Sequence, residues 1–261
     1  MNYIEINKQA WNLKTKLHVN SAFYKQEEFL AGKNTLQPIE LELLGDVSNK
    51  SILHLQCHFG QDTLSLARMG AQTTGVDFSE QAIQIARVVN NQLNLNSRFV
   101  CCNIYDLPEH LDGQFDIVFT SYGTIGWLDD LNKWAVTIKK FLKPGGKFII
   151  VDFHPVVWMY SNDFSYVQYS YFLDEPIVED NEGSYADRQA SVNYQTVGFN
   201  HSLSELFQSL INQGLSIQHF NEYNYSPYNC FPDMEQIEEN QFRLKPFGNK
   251  IPLVYSLVVQ G

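Results

Sequence analysis

The sequence has 261 residues, of which 44% are hydrophobic, 14% aromatic and 18% charged. This composition is typical of a globular protein, since disordered chains are poorer in aromatic and richer in charged residues. The formal net charge is −11, from 29 acidic and 18 basic residues, which disfavours nucleic acid and anionic membrane surfaces as partners. Four cysteines are too few for a disulfide framework, so we expect reduced thiols and a cytoplasmic protein.

The N-terminal residues do not resemble a signal peptide, because no apolar run follows a basic start. No stretch approaches the roughly 20 apolar residues that a membrane span requires. We therefore expect neither a cleaved leader nor a membrane anchor in this sequence.

Strand and helix patterns alternate from residue 51 to residue 153. Short strands are predicted at Ser51–Cys57, Thr73–Asp77, Arg98–Ile104, Phe115–Ser121 and Lys147–Phe153. Helices are predicted between them at Asp62–Met69, from the capping residue Ser79 to Leu93, and at Asp129–Leu142. This alternation predicts an α/β fold with a doubly wound, mostly parallel sheet, whose ligand crevice lies at the carboxyl ends of the strands.

The regular alternation stops at Pro155, and an aromatic-rich segment follows. Its aromatic residues include Tyr160, Phe164, Tyr166, Tyr169, Tyr171, Phe172, Tyr185 and Tyr194. We interpret them as core or interface packing, or as a lid over an apolar or aromatic acceptor. Further on, a helix is predicted at Ser204–Asn212 and strands at Ser216–Glu222 and Leu253–Gln260, with a loop between the two strands.

The predicted order of strand, turn, helix and a second strand that ends in Asp is a nucleotide-site arrangement, but its turn is unusual. It reads Cys57-His58-Phe59-Gly60-Gln61-Asp62, and Asp77 ends the second strand, where a carboxylate can accept hydrogen bonds from ribose hydroxyls. A dinucleotide fingerprint would have three glycines in this turn, but only Gly60 is present and Phe59 would obstruct a pyrophosphate. An adenosine ligand without phosphates, such as S-adenosylmethionine, fits this turn better.

Four segments in order along the chain resemble class I S-adenosylmethionine-dependent methyltransferases. Motifs I and II of that family resemble ILHLQCHFGQDTLSLARMGAQTTGVDFSEQAI, and the segment after its third strand resembles CNIYDLP. Its fourth strand and acceptor-facing loop resemble FDIVFTSYGTIGWL, and its fifth strand resembles LKPGGKFIIVDFHP. The resemblance implies a seven-stranded Rossmann-like sheet with an antiparallel last strand, S-adenosyl-L-methionine as cofactor and S-adenosyl-L-homocysteine as product.

The resemblance also implies a set of cofactor contacts. Asp77 would bind the ribose hydroxyls, Phe78 would lie beside the adenine, and Asn103 would bind the adenine amino group. Ile104 would face the adenine edge. The methionine half would be lined by Gln56, Cys57 and Gly60, with Ser121 and Tyr122 near it. The sequence departs from the family pattern in this turn, where Gln56 replaces the usual acid and Cys57 and Phe59 replace glycines.

Histidines provide the candidates for catalysis and for a metal. His154 follows the fifth predicted strand and would act as a catalytic base for an acceptor hydroxyl or amine, or would orient the His-Pro turn. Asp152 lies on the same strand face and would support His154 or cap the sheet. His54, Cys57 and His58 form an H-x-x-C-H pattern, but we predict no metal site because further ligands and zinc-type spacing are missing.

We predict one sheet domain that transfers a methyl group to a small-molecule acceptor. Residues 1–45 would form a helical cover, 46–155 the cofactor-binding half, 156–202 the aromatic insertion and 203–261 the part that completes the sheet. Two other functions stay open, a nicotinamide-dependent oxidoreductase and a non-catalytic adenosyl-binding domain. The protein is expected to be a monomer or a homodimer, without nucleic-acid or membrane partners.

Overall fold

A seven-stranded sheet forms the centre of the structure, a computed structural model that describes residues 2–261. The strands inside and outside this sheet are, in chain order, β1 (Ser51–Leu55), β2 (Gln72–Asp77), β3 (Arg98–Cys101), β4 (Phe115–Ser121), β5 (Leu142–Phe153), β6 (Ile177–Glu182), β7 (Asn193–Gly198), β8 (Ser216–Tyr223), β9 (Met234–Glu238), β10 (Gln241–Leu244) and β11 (Val254–Gln260). The central sheet has the order β3–β2–β1–β4–β5–β11–β8, in which β11 runs antiparallel to both of its neighbours. The predicted fold class is therefore confirmed, including the antiparallel last strand.

Helices lie on both faces of this sheet. They are α1 (Tyr3–His18), α2 (Gln26–Leu30), α3 (Pro38–Leu44), α4 (Gln61–Arg68), α5 (Glu80–Gln92), α6 (Leu107–His110), α7 (Leu131–Phe141) and α8 (Leu203–Ile211). Side chains alternate across each strand, so Leu53 packs into the core on the α7 and α8 side, while Ile52 packs into the core on the α3 and α4 side. Both side chains are fully buried, as expected for a parallel sheet that is covered on its two faces.

Local capping signals define the helix starts that the sequence predicted. Ser79 accepts a hydrogen bond from the Ala82 N–H and begins α5, and Ser202 accepts one from the Glu205 N–H and begins α8. Asp130 caps α7 by accepting from the Asn132 and Lys133 N–H groups, one residue after the predicted start. These bonds satisfy backbone donors that have no partner within the first helical turn.

Two hairpins lie outside the central sheet. The aromatic insertion contains the β6–β7 pair, in which Val178 and Asp180 point to solvent while Ile177 and Glu179 are half-buried. The β9–β10 pair occupies part of the segment between β8 and β11 that the sequence analysis predicted to be loop. Its strands have only 5 and 4 residues, and the neighbouring prolines lie outside them, so their pattern was too short to be recognised.

Helix α1 is joined to the β6–β7 hairpin by a reciprocal pair of hydrogen bonds. The Asn7 side-chain amide donates to the Val197 carbonyl and accepts from the Val197 N–H, each at 2.8 Å. Asn7 is buried, so these bonds satisfy both backbone groups of Val197 away from water. Among residues 2–261, no helix is long and apolar enough to cross a membrane.

Candidate active site

A cavity of about 1160 Å³ lies at the carboxyl ends of β1, β2 and β4. Its walls come from these strand ends, from the inner face of α1, from the β6–β7 hairpin and from the segment before β9. All the residues predicted to contact the cofactor line this cavity, namely Gln56, Cys57, Gly60, Asp77, Phe78, Asn103, Ile104, Ser121 and Tyr122. The sheet brings them together because the carboxyl ends of neighbouring parallel strands meet at one edge.

The turn between β1 and α4 alternates in backbone handedness. Gln56, His58 and Gly60 have φ values of 52°, 51° and 82°, in the left-handed region that favours glycine. Cys57 and Phe59 point into the core and are 5% and 2% exposed. The backbone would therefore favour glycine at positions 56 and 58. The expectation that Cys57 and Phe59 stand where the family has glycines was wrong.

Asp77 is positioned by backbone donors from two segments. Its Oδ2 accepts from the His58 N–H and its Oδ1 from the Ser79 N–H, both at 2.9 Å. A carboxylate has about four acceptor sites, so each oxygen keeps one for a ligand hydroxyl. Burial raises the pKa of Asp77 to about 6, and the backbone hydrogen bonds oppose this shift.

The residues after β2 and β3 form the next part of the cavity wall. Phe78 and Ile104 contribute apolar surface, and Asn103 lies between β3 and α6. The Asn103 Oδ1 accepts from the Tyr105 N–H at 3.0 Å, which leaves the oxygen one lone pair. Within residues 2–261 the Asn103 Nδ2 makes no hydrogen bond, so the side chain offers a ligand both a donor and an acceptor.

Gln56 connects the first turn to the loop after β4. Its Nε2 donates to the Thr124 carbonyl at 2.8 Å, while its Oε1 is buried without a partner in the described part of the chain. Thr124 in turn donates its N–H and hydroxyl to Asp152, which also accepts from the Gly123 N–H. Asp152 therefore positions the loop after β4 and does not itself line the cavity.

The structure places His154 outside the cavity. It is 3% exposed, its Nε2 lies 2.8 Å from a Glu222 carboxylate oxygen, and its Nδ1 accepts from the Val156 N–H at 3.2 Å. Burial lowers the pKa of His154, and Glu222 acts in the opposite direction. These contacts hold the turn at Pro155, the other role considered for this residue, and we do not propose His154 as a base.

Another part of the cavity wall is a group of side chains that the sequence analysis did not connect with one another. This tyrosine wall consists of Tyr24, Asp62, Tyr122, Tyr185 and Tyr228, all of which line the cavity. Tyr24 and Tyr185 share a hydrogen bond of 2.5 Å, and the rings of Tyr122 and Tyr228 meet edge to face at 5.0 Å. No sequence signal connects these residues, because they come from five separate segments.

Two carboxyl groups lie within or behind the tyrosine wall. Tyr122 donates its hydroxyl to the Glu40 Oε2 at 2.9 Å, and Thr35 donates its hydroxyl to the Asp62 Oδ1 at 2.6 Å. Burial raises the pKa of both carboxyl groups, that of Glu40 to about 8. Glu40 therefore keeps its proton at neutral pH, and Asp62 is a stronger base than an exposed aspartate.

The two histidines of the H-x-x-C-H pattern have different partners in the structure. The His54 Nδ1 lies 2.8 Å from the Thr63 hydroxyl in the core, and the His58 ring contacts His18. Within residues 2–261 no three His, Cys, Asp or Glu side chains are grouped as metal ligands.

Part of the chain matches a known protein family, and the fold matches solved structures. Residues 52–146, from β1 to the start of β5, match the model of a family described as a methyltransferase domain. This part of the chain is therefore similar to a methyltransferase domain. A structure of an S-adenosylmethionine-dependent methyltransferase from Mesorhizobium loti has the same fold, with a TM-score of 0.59 and 18% identity over 89% of this chain and all of that one.

Curated relatives of this methyltransferase domain match over part of their length. An uncharacterised methyltransferase of Synechocystis sp. is 32% identical over 133 residues, which are 50% of this chain and 60% of the relative. A ubiquinone biosynthesis O-methyltransferase of Xanthomonas oryzae is 26% identical over 120 residues, which are 45% of this chain and 50% of the relative. The chain thus spans about half of the curated relatives that it matches.

Proposed function

We propose that this protein is an S-adenosylmethionine-dependent methyltransferase that acts on a small-molecule acceptor. The observation that carries the proposal is Asp77, which ends β2 inside the cavity of a methyltransferase domain with acceptor sites left on both oxygens. An adenosine ribose presents two hydroxyl donors that match these sites.

The cavity residues fit S-adenosylmethionine. Asp77 would hold the ribose, Phe78 and Ile104 would contact the adenine, and Asn103 would bind its polar edge. The buried and unpartnered Gln56 Oε1 would accept from the ammonium group of the methionine half. Cys57 and Gly60 would act through their backbone, since the Cys57 side chain packs in the core.

The methyl donor supplies, when bound, a methyl group that its sulfonium centre already activates for attack by an acceptor atom. The protein residues therefore mainly align the reactants and exclude water. Ser121, at the carboxyl end of β4, would lie between the cofactor side of the cavity and the tyrosine wall, to which the next residue, Tyr122, belongs. For an acceptor that loses a proton, the Asp62 carboxylate of that wall would be the candidate base.

The tyrosine wall supports a small and partly aromatic acceptor. Its rings offer flat apolar surface and hydroxyl groups, which suit a compact molecule better than a protein or nucleic-acid chain. The cover formed by residues 1–45 and the insertion formed by 156–202 both contribute lining residues, and we propose that they enclose the acceptor. The O-methyltransferase among the relatives is consistent with such an acceptor.

Thermal unfolding with S-adenosylhomocysteine or NAD tests the cofactor assignment. We expect S-adenosylhomocysteine at about 100 times its dissociation constant to add roughly 2.7 kcal/mol to the free energy of unfolding, and NAD to add nothing. Asp77→Ala should remove this response, whereas the matched change Asp112→Ala at an exposed position should keep it. Stabilisation by NAD alone would contradict the proposal in favour of the oxidoreductase.

Catalysis is tested by turnover on a panel of phenols, amines and thiols, measured as formation of S-adenosylhomocysteine. We expect at least one acceptor class to be methylated by the wild-type protein and not by Asp77→Ala. Tight binding of S-adenosylhomocysteine without turnover of any acceptor would favour the non-catalytic adenosyl-binding domain.

A further inference from the structure

Lys14 is a buried cation without an anionic partner. It lies on the inner face of α1, lines the cavity and is 6% exposed. Its Nζ lies over the rings of Trp11, Trp127 and Tyr194, at 4.6, 5.1 and 5.1 Å from their centroids. Within residues 2–261 it makes no hydrogen bond and has no carboxylate oxygen within 4.0 Å.

This arrangement is costly without a ligand. Aromatic faces attract a cation, but they offer no acceptor for the three N–H donors of an ammonium group. Burial lowers the pKa of Lys14 to about 8, so the side chain still carries its charge at neutral pH. A buried charge of this kind is normally compensated by an opposite charge in contact with it, and a ligand in the cavity would supply one.

A chain of hydrogen bonds beside Lys14 fixes the tautomer of His58. The Ser184 hydroxyl oxygen accepts from the Ala186 and Asp187 N–H groups at 3.1 and 3.2 Å, which occupies both of its lone pairs. Its hydrogen therefore points to the His18 Nε2, 3.2 Å away. The neutral His18 ring then carries its proton on Nδ1 and donates to the His58 Nε2 at 3.0 Å.

His58 is consequently left with its own proton on Nδ1. This atom is buried and has no hydrogen-bond partner in the described part of the chain. Burial lowers the pKa of His58 well below its usual value, and that of His18 to about 3, so both rings stay neutral. The Trp11 ring contacts both groups, because its centroid lies 4.6 Å from the Lys14 Nζ and 5.2 Å from the centroid of the His58 ring. The Lys14 cation and His58 therefore flank the same tryptophan in the cavity wall.

We propose that Lys14 and His58 form a subsite for a carboxylate group of a ligand bound in the cavity. One cation and one neutral N–H donor match the single charge and two oxygens of a carboxylate. Glu179 also lines the cavity and acts on Lys14 from farther away, which disfavours a more highly charged group such as a phosphate. This inference rests on the proposed function, and the carboxylate belongs either to the methionine half of the methyl donor or to the acceptor.

Calorimetric titration with two analogues separates these sources. S-adenosylhomocysteine and its decarboxylated form differ by the carboxylate alone. If the methyl donor is the source, Lys14→Met weakens S-adenosylhomocysteine binding by roughly 10- to 100-fold and leaves the decarboxylated form unchanged. His58→Asn, which preserves a residue type that tolerates the left-handed backbone, should show the same selectivity to a smaller extent.

If the acceptor is the source, Lys14→Met leaves binding of both analogues unchanged and raises the KM for carboxylate-bearing acceptors, but not for their methyl esters. The matched control is Lys16→Met, an exposed lysine on the same helix, which should change neither property. Urea unfolding of the free proteins verifies that Lys14→Met is folded, and we expect its stability to be at least that of the wild type because a buried charge is removed.

A Lys14→Met protein that binds both analogues as the wild type does, and shows no change between carboxylate and ester acceptors, would overturn the subsite. A wild-type protein that binds neither analogue would overturn the proposed function, and the subsite with it. The two failures are therefore distinguishable, since the first requires normal binding by the wild-type protein.

Discussion

At the scale of single residues, Asp77 has two tasks that depend on its charge. It accepts hydrogen bonds from the backbone at His58 and Ser79, and it is the proposed ribose ligand. Because burial raises its pKa to about 6, the carboxyl group takes up its proton closer to neutral pH than an exposed aspartate does. Ligand affinity should report this titration directly.

We expect the dissociation constant of S-adenosylhomocysteine to be smallest above pH 6 and to rise about tenfold per pH unit well below it, since only the ionised form offers all acceptor sites. Titration calorimetry between pH 5 and pH 8 measures this dependence. Asp77→Asn should bind more weakly and show little pH dependence in that range. A wild-type affinity that is constant from pH 5 to pH 8 would contradict the assignment.

Glu40 illustrates a buried acid whose effect is on stability. Its pKa is raised from the usual 4.5 to about 8, mainly by burial, so the native state keeps a proton that the unfolded state loses. The sign follows from proton linkage: the free energy of unfolding falls as pH rises between these two values. Tyr122 donates to one Glu40 oxygen and the Gln37 N–H donates to the other. An amide would accept from the Gln37 N–H through its oxygen and donate through its NH2 group to the Tyr122 hydroxyl oxygen.

Glu40→Gln should therefore gain stability relative to the wild type as the pH rises from 5 to 8, because the amide does not titrate. Urea unfolding at several pH values gives the difference. Glu42→Gln, at an exposed position of the same helix, is the control and should follow the wild-type curve. An equal stability difference at pH 5 and pH 8 would show that Glu40 titrates normally.

At the scale of elements, the turn between β1 and α4 shows how a nucleotide-type turn forms with few glycines. Gln56 and His58 occupy left-handed positions, and their side chains use that geometry to reach the Thr124 carbonyl and His18. The unfavourable backbone at these positions is thus accompanied by side-chain contacts that a glycine would not make. Strain of this kind is common at functional sites.

Two hydrogen bonds of Asn7 attach α1 to the β6–β7 hairpin. Asn7→Ala should lower the free energy of unfolding by about 2 kcal/mol, because both backbone groups of Val197 lose their partner in a buried position. Urea unfolding measures this loss. Gln9→Ala, an exposed residue of the same helix, should change stability little. Equal effects of the two substitutions would mean that the paired hydrogen bonds add no stability.

At the scale of the whole molecule, α1 closes the cavity although it lies outside the matched methyltransferase domain. Ligand binding should therefore order a helix that is distant in sequence from the strands that carry Asp77. We expect S-adenosylhomocysteine to slow amide hydrogen exchange in α1, while α8, which does not line the cavity, serves as the control. Equal protection of both helices would indicate a global effect rather than closure by α1.

Much of this architecture was predictable from local sequence. The strands β1 and β4 have strong apolar patterns, and Ser79 and Ser202 are capping residues that act within one helical turn. The fold and the methyltransferase resemblance were both confirmed. The hairpins were not predicted, because strands of 4 to 6 residues that are half-exposed produce a weak pattern.

The sequence by itself determined which residues stand at the carboxyl ends of the parallel strands, because periodicity and strand ends are local properties. The tertiary structure alone decided which side chains meet across the cavity. Tyr122 reaches Glu40 over 82 positions of the chain, and His18 reaches Ser184 over 166. Such contacts depend on how α1, α3 and the β6–β7 hairpin pack on the sheet, and that packing arises from the burial of many apolar groups together. For the same reason Lys14 is an ordinary helical lysine in the sequence and becomes a candidate anion ligand only in the fold.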